Sequence, residues 1–209
     1  MGFYPLALEL GGRRCVVVGG GPVAERRVEA LLQAGAEVTI VSPTLTPTLA
    51  ALRDAGRVRQ VARVYEPGDL AGAVLAFTAV DDPTVSAVVA REAFERGVWL
   101  NAADQPAYCD FILPGIVRRG VLTVAVTSGG TSPALTRALR EHLDATLGPE
   151  WTALGALAAS ARLELRTTGR APTAETWRRA LGPDVRAALA EGREADARAR
   201  LRAHLELPA

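Results

Sequence analysis

The sequence predicts an α/β protein: a parallel sheet covered by helices comes first, then a β-hairpin with one helix, then a helical end. Three observations carry this reading. Short β-branched runs alternate with helical stretches down to about residue 113. Two strand-like runs then flank Arg119-Gly120, which reads as a hairpin. From Gly148 onward only Ala-, Arg- and Leu-rich helical sequence remains.

The elements follow in order. CVVVGGG is a β-branched run ending in glycines, as in a buried parallel strand. PVAERRVEALLQAGA carries Val23, Val28, Leu31 and Leu32 at helical spacing, with Gly35 as a stop. EVTIVSP reads as the second strand, TPTLAALRDAG as a helix, and RVRQVARVY as a third strand. AVLAFTAV reads as a fully buried strand, DPTVSAVVAREAFERG as a helix and VWLNAA as a short strand. A further helix is expected from about Ser132 to Leu147. In the tail, Trp151, Leu154, Leu157, Leu163, Trp177 and Leu181 supply apolar faces, so packed helices are expected rather than disorder. Three parts result: an N-terminal Rossmann-like domain over 1–113, a hairpin-plus-helix segment over 114–147 and a C-terminal helical domain over 148–209.

Composition narrows the function. A 49% hydrophobic chain of 209 residues can bury a substantial core. A formal net charge of +1 argues against bulk binding to nucleic acid or to an acidic membrane surface. All 24 basic residues are arginine, which excludes lysine Schiff bases and the Walker lysine. Cys15 and Cys109 are too few for a disulfide framework or a zinc knuckle, and Cys15 reads as core. The N-terminus has no basic start followed by a long apolar segment, so no signal peptide and a cytoplasmic location are expected.

The chemistry begins at GGGPVA. Gly19, Gly21 and Ala24 fall on the G-x-G-x-x-A pattern, between a strand and a helix. Gly19 permits the tight turn, Gly21 lets backbone approach a pyrophosphate, and Ala24 lets the helix pack close to the sheet. Pro22 and Val23 open the helix, whose N-terminus favours an anion. The second strand ends without an acidic residue for the adenosine ribose, leaving Ser42, Pro43 and Thr44 there. No arginine adjoins them for a 2′-phosphate, so NAD is favoured over NADP. Thr78 and Asp81 follow the buried strand and are candidates at the sheet's carboxyl edge, while Asp81 and Asp82 could equally cap the next helix.

Asp104, in NAADQPAYCDFILP, lies just past a short strand and is the acid/base candidate, though an Asp before x-Pro also suits a simple turn. Asp110 is a rival that borders an apolar run and could serve structure. His142 and His204 sit on helical stretches and read as surface residues. SGGTSPALTRALR adds a second anion-type loop, with Ser128, Gly129, Gly130, Thr131 and Ser132 before a helix, or else an ordinary cap.

Three stretches together resemble the precorrin-2 dehydrogenase/sirohydrochlorin ferrochelatase family. They are YPLALELGGRRCVVVGGGPVAERRVEALLQAGAEVTIVSP, NAADQPAYCDFILP and VAVTSGGTSPALTRALRE, and the tail resembles the family more weakly at AETWRRAL. The resemblance implies NAD-dependent oxidation of precorrin-2 to sirohydrochlorin. In some members it also implies insertion of Fe²⁺, or of Co²⁺ in cobalamin routes; no His/Cys cluster in the sequence offers a permanent metal site, which suits a metal delivered transiently. It places the family's catalytic aspartate on Asp104. It implies a homodimer paired through the hairpin-plus-helix segment, and it turns the second loop into a cradle for the tetrapyrrole's carboxylate arms. Arg118, Arg119, Arg137 and Arg140 are further candidates for those arms by location. The alternative reading is a non-catalytic NAD-sensing module.

Overall fold

The computed structural model describes residues 2–208. Its first sheet has five strands: β1 (Arg14–Val18), β2 (Glu37–Val41), β3 (Arg59–Val61), β4 (Leu75–Thr78) and β5 (Trp99–Ala102). Their order across the sheet is β3-β2-β1-β4-β5, and all neighbours are parallel. This is a Rossmann-like α/β arrangement, in which the order reverses between β1 and β4 and opens a crevice beyond their carboxyl ends. The central strands are apolar on both faces because both faces are covered. Cys15, Val17, Ile40, Leu75 and Phe77 pack with Ala24, Val28 and Leu31 of α1 (Pro22–Gln33) and Leu49 of α2 (Pro47–Asp54). Val16, Val18, Val41 and Ala76 pack with Val89 and Ala93 of α3 (Pro83–Arg96) and with Tyr65 and Leu70. Cys15 is fully buried, and burial pushes its thiol up to about 11, so it is core as expected.

One strand is shorter than its sequence suggests. The run over 57–65 forms a ladder only at Arg59–Val61. Beyond it the Arg63 guanidinium closes on the Asp69 carboxylate at 2.7 and 2.8 Å. Tyr65 turns inward and donates its hydroxyl to Glu92 of α3. Two tertiary partners thus outcompete the local β propensity.

Contacts divide the chain into two compact units, Met1–Ile112 and Leu113–Ala209. In the second, β6 (Gly115–Arg119) and β7 (Leu122–Val126) form an antiparallel hairpin whose tip uses Gly120 at φ 58°. Helix α4 (Pro133–Thr146) lies on the hairpin, fastened where Arg119 donates to the carbonyls of Leu147 and Asp144. Arg119 is therefore spent on the α4 C-terminus, as the dipole favours. Helices α5 (Glu150–Thr167), α6 (Ala174–Ala180), α7 (Pro183–Ala190) and α8 (Glu194–His204) enclose Leu154, Leu157, Leu165, Val185 and Leu201. Among the described residues, no helix is long and apolar enough to cross a membrane.

Candidate functional site

The glycine loop sits at the carboxyl end of β1, and each glycine has its own reason. Gly19 holds φ 118°, and a Cβ there would lie 2.3 Å from the Ala79 carbonyl oxygen. A Cβ on Gly20 would lie 1.9 Å from the Thr44 carbonyl oxygen, so the loop and the end of β2 touch backbone to backbone. Gly21 differs: nothing stands within 4 Å of its absent Cβ, and that space opens at the head of α1. No side chain caps this helix, and Pro22 occupies its first turn. The N–H groups of the first turn are thus left for an external acceptor. Buried Ala24 keeps α1 against the sheet. An open glycine, an uncapped helix and a close-packed turn together fit the pyrophosphate of a dinucleotide.

The flanking candidates are arranged unequally. Ser42 is buried and donates to the Thr44 carbonyl at 2.7 Å, while Pro43 and Thr44 are exposed. Thr78 is buried, and its hydroxyl pairs with Ser86 of α3 at 3.3 Å, so its side chain serves packing. Asp82 caps α3 through the Thr84 N–H at 2.8 Å, and the Thr84 hydroxyl, together with that N–H, holds its carboxyl below the usual range. Asp81 stays exposed beside it. Sequence reasoning missed Gly20, which the x of G-x-G leaves open. It also missed Thr46, which caps α2 and hydrogen-bonds Glu25 of α1.

Asp104 stands just past β5, exposed, in the left-handed region at φ 59°. Aspartate tolerates that conformation better than most residues. The turn is closed by the Gln105 N–H on the Ala102 carbonyl at 3.4 Å, and Ala103 donates to the Thr78 carbonyl at 2.9 Å. Asp110 is structural: its carboxylate accepts from the Leu100 N–H at 2.8 Å, and its own N–H returns to the Leu100 carbonyl at 2.9 Å. The sheet therefore delivers both the glycine loop and the Asp104 turn at the carboxyl ends of its strands.

In the second unit, Gly129 and Gly130 take φ 64° and 81°, with open space where each Cβ would be. The Ser128 hydroxyl donates to the Ser132 carbonyl at 3.0 Å and accepts from the Ser132 N–H and the Thr136 hydroxyl. Ser132 caps α4 through the Leu135 N–H at 3.2 Å. Both serine hydroxyls are thus occupied inside the loop. Among the described residues, the Thr131 hydroxyl has no hydrogen-bond partner. Of the two histidines, His204 pairs with Asp184 at 3.1 Å, and the His142 backbone carbonyl accepts from the Thr146 hydroxyl.

This sheet, with a glycine loop opening its first helix and an acidic turn at the same edge, defines a dinucleotide-binding α/β protein. The family described as "Putative NAD(P)-binding" matches residues 6–115, and "Sirohaem biosynthesis protein central" matches residues 119–146. The first match covers more than half of the chain, and the chain belongs to this NAD(P)-binding family. It is 48% identical over 158 residues to the siroheme synthase of Methylobacillus flagellatus, covering 76% of this chain and 34% of that protein. It is 39% identical over 210 residues to the siroheme synthase of Thioalkalivibrio sulfidiphilus, covering 99% of this chain and 42% of that one. The chain thus spans less than half the length of these curated relatives. A solved structure, SirC, a precorrin-2 dehydrogenase, matches 96% of this chain and all of its own with a TM-score of 0.79 at 23% identity, a likeness of fold.

Proposed function

We propose that this chain oxidises precorrin-2 to sirohydrochlorin with NAD as the electron acceptor. The observation that carries this reading is the match to a siroheme synthase along 99% of the chain. The site supports it. Gly19, Gly21, Pro22, Val23 and Ala24 hold the pyrophosphate, and Ser42, Pro43, Thr44, Asp81 and the backbone of Thr78 line the cofactor's crevice. The preference for NAD over NADP rests on the end of β2, which carries no basic residue. Arg63, at the neighbouring end of β3, is already closed on Asp69.

When bound, NAD supplies the acceptor for a hydride. The Asp104 carboxylate takes the accompanying proton, or receives protons from pyrrole nitrogens if a metal is inserted. Exposure of Asp104 leaves it accessible to a large macrocycle. In the loop 128–132, Gly129 and Gly130 bring open backbone, and Thr131 an available hydroxyl, to the carboxylate arms; Ser128 and Ser132 hold its shape. Residues 1–113 act as the cofactor domain, 114–147 pair two subunits into a homodimer, and 148–209 complete the helical domain. Exposed Leu135 and Leu139 on α4, a helix with no buried residue, support that pairing.

The test is anaerobic precorrin-2 with NAD, followed by the near-ultraviolet absorbance of NADH. A rise is expected, and Asp104→Asn lowers its rate about 100-fold or more with NAD affinity unchanged. Folded protein that produces no NADH overturns the assignment; a fully active Asp104→Asn removes Asp104 from it. Sirohydrochlorin with Fe²⁺ or Co²⁺, compared with the metal-only rate, tests the chelatase activity.

A further inference from the structure

Strand β5 is an edge strand, paired among the described residues with β4 alone. Trp99 and Ala103 point their N–H groups inward, to the Val74 and Thr78 carbonyls. The alternation of a strand then turns the N–H and C=O of Leu100 and Ala102 outward, away from the sheet. An outward row of that kind must find partners. At Leu100 the partner is Asp110, through its backbone and carboxylate. At Ala102 it is a thiol. The Cys109 Sγ accepts from the Ala102 N–H at 3.2 Å and faces the Ala102 carbonyl at 3.3 Å, to which the S–H donates. The Asn101 amide stands 3.7 Å from the same sulfur and donates to the Phe111 carbonyl at 2.9 Å. The segment is anchored further on, where the Phe111 ring packs edge-on against Phe77 with centroids 5.7 Å apart.

The Ala102 carbonyl is also the acceptor that closes the Asp104 turn. One thiol therefore fixes the residue from which Asp104 is suspended, while Asp104 itself holds a left-handed conformation, which aspartate adopts more readily than most residues. We propose that Cys109 is a positioning residue for the oxidation: its thiol stands in for a sixth strand at Ala102 and sets the direction of the Asp104 carboxylate. The inference rests on Asp104 being the proton acceptor. It assigns Cys109 no redox and no nucleophilic step.

The test compares Cys109→Ala with Cys109→Ser, which keeps one donor and an acceptor. Cys109→Ala is expected to lower kcat about 10-fold or more, as small misplacements of a reacting group do, with KM for NAD unchanged. Cys109→Ser should restore most of that loss. In the Asp104→Asn background Cys109→Ala should cause no further loss, because the two act as one unit. Independently of activity, amide exchange at Ala102 should quicken about 10-fold in Cys109→Ala without NAD. Unchanged kcat with unchanged exchange overturns this inference alone. So does an equal loss in the Asp104→Asn background, which makes the thiol a general support of the fold. A fully active Asp104→Asn overturns both this inference and the reading it rests on.

Discussion

Adjacent glycines in the first loop do different work, and substitution separates them. Gly20 is excluded from having a side chain by the fold itself, since its Cβ would meet the Thr44 backbone at 1.9 Å. Gly21 has room for a methyl group and is kept bare only toward the ligand. Gly20→Ala should therefore destabilise the protein by about 2 kcal/mol or more, because backbone cannot retreat as a side-chain tip can. Gly21→Ala should unfold at the wild-type temperature and bind NAD about 10-fold more weakly, the methyl standing where backbone must approach the pyrophosphate. Thermal melts with and without NAD distinguish the two. A Gly21→Ala protein with unaltered NAD affinity would show that the open space is not the pyrophosphate site.

At the scale of elements, the crossover from β3 to β4 depends on a buried carboxylate. Glu92 of α3 lies in the core, accepting from the Tyr65 hydroxyl, from the Gly68 N–H at 2.8 Å and from Arg96. Burial raises its pKa, and the bonds from Tyr65, Gly68 and Arg96 together outweigh that, leaving it below the usual carboxylate range. Its contribution is thus present above the unfolded glutamate pKa of about 4.3 and is lost as pH falls through the lower folded value. Tyr65→Phe removes one donor and should cost about 1–2 kcal/mol at neutral pH. The deficit should shrink as acid removes the charge that the phenol served, which denaturant titrations near pH 7 and at a pH below the folded value, located by following the Glu92 carboxylate by NMR, would read. An equal deficit at both pH values would mean that packing, not the hydrogen bond, carries Tyr65.

The same crossover marks what sequence could convey. The strands at 14–18, 37–41 and 75–78 were legible because β-branched runs covered on both faces leave an unbroken apolar pattern. The early end of β3 was not, because it is decided by Asp69 and Glu92, which no local pattern brings near Arg63 and Tyr65. In the candidate site, the loop geometry at Gly19, Gly21 and Ala24 was readable from spacing, and the position of Asp104 from its place after a strand. The role of Cys109 was not, since a thiol completing a sheet edge looks in sequence like any half-buried cysteine. The inward turn of the Ser128 hydroxyl was hidden in the same way, because its partners Ser132 and Thr136 serve equally as a cap.

For the whole molecule, separate apolar cores hold the two units, and each can be addressed by its own perturbation. Val16, Val17 and Ala76 are fully buried about the first sheet, and Leu201 and Val185 about the helices of the second unit. A ligand that binds only the native glycine loop stabilises by mass action, by about 2.7 kcal/mol at a hundred times its Kd. Leu201→Ala, at a position 1% exposed, leaves a cavity costing about 2–5 kcal/mol. NAD should therefore slow amide exchange in β1 and β4, and Leu201→Ala should hasten it in α5, α7 and α8. Residue-resolved exchange of the unperturbed protein, and with the two perturbations applied singly and together, gives the four measurements needed. Additive effects, each read in its own unit, are the expected outcome. NAD protection of the helices that disappears in Leu201→Ala would instead show that both cores unfold as one cooperative whole.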